Sequence, residues 1–171
     1  MTRFAKRKYG GLREFLGDLA FLWRHRKAIR RMHRGGLAPE FRERLMLAVT
    51  EVNQCRYCSY AHSRAALDAG VDEDEVRALL AGRLEAAPEA EHVALHYARH
   101  WAESARNPDP EAQERLVGTY GADTAACIHL ALRMIATGNY LGNTVDYFLH
   151  RLSFGRWGGG LEARGRGDTT A

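Results

Sequence analysis

Cys55, Cys58 and His62 are the three side chains most able to act together chemically. Each helical residue advances about 100°, so Cys58 sits about 60° from Cys55 and His62 about 20° from it. All three then share one narrow face. Two thiols at i and i+3, with the first in the opening turn of a helix, can close to a disulfide. The unpaired N–H groups of that turn favour thiolate. This is redox chemistry: the thiols store two electrons and the imidazole moves a proton.

The imidazole matters more than the acidity of the thiol. Lowering a thiol pKa from about 8.5 to about 6.5 raises its ionised fraction at pH 7 from roughly 3% to roughly 75%. Nucleophilicity falls by about half a log unit per pKa unit, so the net gain is only about two- to threefold. Positioned proton transfer contributes about 10²–10⁴-fold. Competing roles are weaker. One is that Cys55 and Cys58 are inert, buried small hydrophobes. Structural zinc usually takes four ligands, and only Cys127 and His129 are available to complete a set. A c-type haem needs His directly after the second Cys, where Ser59 stands.

Spacing alone leaves the assisting carboxylate open. A helix unbroken through Asn53 and Gln54 stacks Glu51 one turn before Cys55. A break there lets a residue further back, such as Glu43, fold over the thiols.

Glu43, the apolar run Leu45–Val49, Asn53, and then Cys55-Arg56-Tyr57-Cys58 with His62 resemble the signature of a known family. It is that of the carboxymuconolactone decarboxylase / alkylhydroperoxidase D-like superfamily: a Glu twelve residues before Cys-x-x-Cys-x-x-x-His. The resemblance implies an all-α fold that assembles as a homo-oligomer. It implies hydroperoxide reduction or thiol–disulfide exchange. By position, Cys58 resembles the thiol that attacks peroxide and Cys55 the resolving thiol. Glu43 and His62 resemble members of the proton relay, which favours Glu43 over Glu51. The best-known hydroperoxidases carry His directly before the second Cys, and here that position is Tyr57. Decarboxylase members lack the Cys pair, so lactone decarboxylation is disfavoured. Helix-terminus physics makes Cys55 the more acidic thiol, whereas the resemblance makes Cys58 the attacker.

The elements that must position these residues are helical. Nearly every segment of the chain has a 3.6-residue apolar period, and none alternates as a strand. The periodicity predicts helices over 12–32, 40–52 and 55–69, the last stopped by Gly70. Asp72 reads as an N-cap with Glu75 in a capping box. Pro88 opens a helix that carries Val93, Tyr97 and Trp101 inward, and Asp109-Pro110 opens a short one to Val117. An apolar helix over 123–137 is closed by Gly138-Asn139, and a last helix spans 143–152. The fold class is all-α, an alkylhydroperoxidase D-like bundle of about seven or eight helices. The expected organisation is a basic helical arm over 1–36, the main domain over 37–154, and a flexible Gly/Arg-rich tail over 155–171.

Composition sets the class. The chain is 46% hydrophobic and 27% charged, which is globular. No uncharged apolar run exceeds five residues, against roughly 20 for a membrane span. No secretory signal follows the basic start. Three cysteines make no disulfide framework, so a cytoplasmic protein with thiols reduced at rest is expected. Residues 1–36 hold eleven Lys/Arg against Glu14 and Asp18, a net +9, which leaves −5 on the rest of the chain. Such an arm docks on the acidic body of its own or a neighbouring subunit, or on an anionic surface. Nucleic acid is disfavoured, because no nucleic-acid motif accompanies the charge. Leu12, Phe15, Leu16, Leu19, Leu22 and Trp23 recur at helical spacing, which predicts a packed helix.

His92, His96 and His100 repeat at i, i+4 and i+8 and are expected to flank the apolar stripe of their helix. Cys127 and His129 are expected in the core. No role is assigned to Tyr140, Asn143, Thr144, Asp146 or Tyr147. The expected activity is peroxidase or thiol–disulfide exchange, with a hydroperoxide or disulfide as substrate and an external dithiol or reductase as donor. It needs neither metal nor bound organic cofactor. The alternatives are a redox-sensing interaction protein with a dithiol switch and a docking arm, and a zinc-stabilised helical module.

Overall fold

The computed structural model describes residues 4–157, all of them helix, turn or loop. Among these residues seven α-helices follow one another: α1 (Leu12–Arg24), α2 (Arg26–Arg31), α3 (Pro39–Asn53), α4 (Arg56–Asp68), α5 (Glu73–Leu80), α6 (His92–Glu103) and α7 (Pro110–Leu152). The fold is all-α, as expected. Helix α3 is the central element, packed on α4, α5, α6 and α7. Its Leu45, Leu47 and Val49 are fully buried in one core with Leu95 of α6 and Ile128 and Leu132 of α7. Pro39 at its first turn and Gln54 in the left-handed conformation (φ 55°) at its end set its length.

Several boundaries differ from the sequence reading. The helix expected over 12–32 breaks at His25, whose ring stacks on Phe21 and whose Nδ1 meets Phe21 O at 2.8 Å. A π-turn over Met32–Gly36 then carries the chain into α3 through Gly35, at φ 128°. Asp72 caps α5 as expected, by accepting from Asp74 N at 2.7 Å. Glu75 does not complete a capping box: its carboxylate binds Arg44 of α3 at 2.5 and 3.3 Å. The helix expected from Pro88 begins at His92, after a short 3₁₀ turn over Glu89–Glu91.

The largest difference lies in α7. Residues 110–152 run on apart from a kink at Gly121 (φ 79°), where a break between two helices is expected, and there is no stop at Gly138-Asn139. Both Asn139 and Asn143 are fully buried there. Side-chain bonds to the end of α3 engage their amides, so these polar residues belong inside the helix.

The arm packs on the body, but not with the charge pattern expected. Arm residue Lys6 forms a buried ion pair with Asp146 at 2.7 Å. Asp18, one of the arm's two acids, accepts from Arg106 at 2.7 Å, Arg133 at 3.0 Å and Tyr9 Oη at 2.9 Å. The arm's buried ion pairs with the body therefore use one cation and one anion, Arg7 adds a bond to Glu103 O and Lys8 lies over the Tyr147 ring, and most of the arm's arginines stay exposed. Leu12, Leu16, Leu19 and Trp23 are exposed as well, so the expected packed face of α1 is only partly formed. The tail expected to be flexible lies largely outside the described residues.

Candidate active site

Helices α3 and α4 form a hairpin whose turn is Gln54-Cys55. The left-handed Gln54 reverses the chain, and Cys55 becomes the N-cap of α4. Its Sγ accepts a hydrogen bond from Cys58 N at 3.3 Å, which meets one of the orphan donors of the first turn. The same geometry brings the two sulfurs together, and Cys55 and Cys58 are joined as a disulfide with Cα atoms 5.3 Å apart. Cys55 is fully buried, whereas Cys58 is partly exposed.

His62 lies one turn after Cys58 on the same face of α4. From further back along α3, Glu43 reaches across the hairpin, and its Oε2 lies 2.7 Å from His62 Nδ1. An ionised carboxylate can only accept, so Nδ1 carries the proton and Nε2 is left for exchange. Burial pushes the Glu43 carboxyl up. The His62 hydrogen bond and charge and the Arg42 hydrogen bond at 3.1 Å outweigh that push, and its pKa is lowered from the ordinary value.

Of the two carboxylates that spacing leaves open, Glu43 is the one placed against His62. Glu51 does not stack beneath Cys55, because the helix ends at Asn53. Its carboxylate lies against Gly82 and near Arg99, away from His62, and burial raises its pKa. The structure brings all four expected residues, Glu43, Cys55, Cys58 and His62, into one hairpin.

Sequence reasoning misses the residues behind the sulfurs. Gly138 and Gly142 share one face of α7 at i and i+4, turned to the Cys pair. A Cβ on Gly142 would stand 2.7 Å from Cys55 Sγ and 3.3 Å from the Tyr57 ring. A Cβ on Gly138 would stand 4.0 Å from Cys58 Sγ. These glycines let the helix backbone approach the sulfurs, and read alone they look like helix stops. Asn53 Nδ2 donates to Asn139 Oδ1 at 3.0 Å, and Asn143 Nδ2 donates to Asn53 O at 2.7 Å. Asn139 Nδ2 also donates to Thr50 Oγ1 at 3.1 Å, which ties α3 to α7 close to the turn. Tyr57 Oη donates to the buried Asp146 at 3.1 Å, and Arg56 pairs with the same carboxylate at 2.7 Å.

The remaining candidates lie elsewhere. His92 Nε2 meets Ala87 O, and His100 lies 3.1 Å from Asp109. With His96, and with Val93 and Tyr97 of the apolar stripe, they border a hollow of about 400 Å³. Tyr97 and Trp101 are buried as expected, and Val93 is half-buried. Cys127 is half-buried beside Gly36, packed against the edge of the core, and burial pushes its thiol up. His129 hydrogen-bonds Tyr97 Oη at 3.2 Å, and burial lowers its pKa. Neither joins the Cys pair. Among the described residues no group of three or more His, Cys, Asp or Glu is placed to hold a metal ion.

Residues 19–102 match the model of the carboxymuconolactone decarboxylase family. The match supports the carboxymuconolactone decarboxylase / alkylhydroperoxidase D-like superfamily. The matched segment begins inside α1 and contains the whole α3–α4 hairpin. No curated protein and no solved structure matches the chain. The Cys-x-x-Cys pair at bonding distance lies inside the matched segment.

Proposed function

We propose that this protein is a thiol-dependent peroxidase or thiol–disulfide oxidoreductase of the alkylhydroperoxidase type. The observation that carries the reading is the pairing of Cys55 and Cys58 beside a Glu43–His62 hydrogen bond on one face of the hairpin. Access favours Cys58 as the attacking thiol, since Cys55 is sealed beneath α7.

In the reduced protein, His62 Nε2 takes the Cys58 proton and Glu43 holds the resulting imidazolium. The Cys58 thiolate attacks the distal peroxide oxygen, the O–O bond breaks, and the alkoxide leaves with the proton from His62. Cys58 is then a sulfenic acid, oxidised by two electrons. The Cys55 thiol attacks that sulfur, the S–S bond forms and water leaves. An external dithiol is oxidised in turn and restores both thiols. The roles of the four residues, a homo-oligomeric assembly and a cytoplasmic setting belong to this reading.

The test is turnover of an organic hydroperoxide by purified protein with a dithiol donor. Cys58→Ser is expected to abolish it, and His62→Ala to slow it by about 10²–10⁴-fold. Undiminished turnover in Cys58→Ser excludes the mechanism.

A further inference from the structure

The arm carries a pattern unrelated to the thiol chemistry. Leu12, Leu16, Leu19 and Trp23 repeat at spacings of four, three and four along α1, and they are 41–70% exposed. Beyond the break at His25 the same spacing continues with Lys27, Arg30 and Arg34. The arm is therefore apolar over three turns of α1 and cationic in the segment beyond the break. Lys27, Arg30, Arg31 and Arg34 line a hollow of about 610 Å³ with Gly35 and Gly36. Among the described residues, none of these four cations has an ion-pair partner.

A second stripe adjoins the first. Helix α1 runs antiparallel to the last part of α7: Asp18 meets Arg133, and Tyr9 meets Tyr140 and Thr144. On α7, Leu141, Val145, Phe148 and Leu152 repeat at helical spacing and are 45–78% exposed. Helical geometry turns both stripes to the same side of the α1–α7 seam.

Charge decides what fits this face. The only acid within 138–157 is Asp146, which is buried against Lys6 and Arg56. Of the arm's acids, Asp18 is buried and Glu14 is held by Gly10 N. A second copy that set the two basic segments together would oppose cation to cation. A nucleic-acid backbone would leave the leucines and Trp23 unmatched. An anionic bilayer surface matches both parts, with phosphates for the cations and the acyl boundary for the stripe. We propose that the α1–α7 face docks this protein on an anionic phospholipid surface, with Leu12, Leu16, Leu19 and Trp23 inserted and Lys27, Arg30 and Arg34 on the headgroups.

The test is cosedimentation of the full chain with vesicles of phosphatidylcholine alone and with added phosphatidylglycerol, at low and high salt. Sedimentation with the anionic vesicles only, weakened by salt, is expected. Trp emission should shift to the blue on binding, and Trp23→Phe should remove most of the shift. The triple variant K27E/R30E/R34E should bind roughly 100-fold more weakly or worse, and Leu16→Glu should also lose binding, with helix content unchanged by circular dichroism. Equal binding to neutral vesicles, no binding by the folded wild type, or retention of duplex DNA in place of vesicles would overturn the proposal. So would an assembly that Leu16→Glu breaks up while vesicles stay unbound, because a second copy would then own the face.

Discussion

Glu43 is buried yet stays ionised, because His62 and Arg42 together outweigh the cost of burial. Its carboxyl pKa is depressed in the folded state, so its contribution to stability is fully present above the unfolded value of about 4.3 and is lost as pH falls through the folded value. Glu43→Gln should therefore cost stability that is constant from neutral pH down to about 5 and shrinks below that. Chemical denaturation of both proteins at several pH values checks this, and a difference that grows on acidification would contradict it. The same substitution frees His62 from its fixed tautomer and should slow turnover without moving the Cys pair. At this scale the site is largely legible: Cys55, Cys58 and His62 announce themselves by spacing. The choice between Glu43 and Glu51 is not, since it turns on a left-handed Gln54, and glutamine is no signal for that conformation.

Helix α7 and the α3–α4 hairpin meet where a glycine leaves room for sulfur. Two opposed effects decide the outcome of Gly142→Ala. Alanine is the better helix former by about 0.8–1 kcal/mol. Its methyl would collide with Cys55 Sγ, and overpacking of this kind costs about 1–3 kcal/mol. Net destabilisation is expected, larger in the oxidised protein, because linked sulfurs cannot rotate apart independently. Thermal unfolding of the oxidised and reduced forms measures it, and equal or raised melting temperatures in both would contradict the packing argument. Gly138→Ala is the control. Its methyl makes an ordinary contact at 4.0 Å, so the propensity gain of up to about 1 kcal/mol should prevail. Sequence periodicity places most helices within a few residues. It fails at 138–143 because glycine and asparagine, which usually end a helix, here serve close approach and a buried amide network.

The whole molecule is held to its arm by two buried charge clusters of opposite sense, Lys6 on Asp146 and Asp18 on Arg106 and Arg133. Asp146→Asn leaves Lys6 buried without its counterion, and breaking such a pair costs about 3–5 kcal/mol. Arg56 is half exposed, and its share of that loss should be small. Arg56→Ala is therefore expected to cost far less than Asp146→Asn in urea denaturation, and equal losses would contradict the assignment. The +9 charge of the arm is plain from composition, but its docking is not. The contact uses an aspartate inside the basic segment, and net charge conceals that detail.

The central claim is that Cys55 and Cys58 exchange two electrons with a peroxide while Cys127 stands apart. Mass spectrometry of alkylated thiols, before and after one equivalent of hydroperoxide on the reduced protein, tests it most directly. The account predicts loss of both labels from the peptide holding Cys55 and Cys58, with an internal disulfide formed and Cys127 still labelled. Full labelling of that peptide after peroxide, or oxidation confined to Cys127, would contradict it.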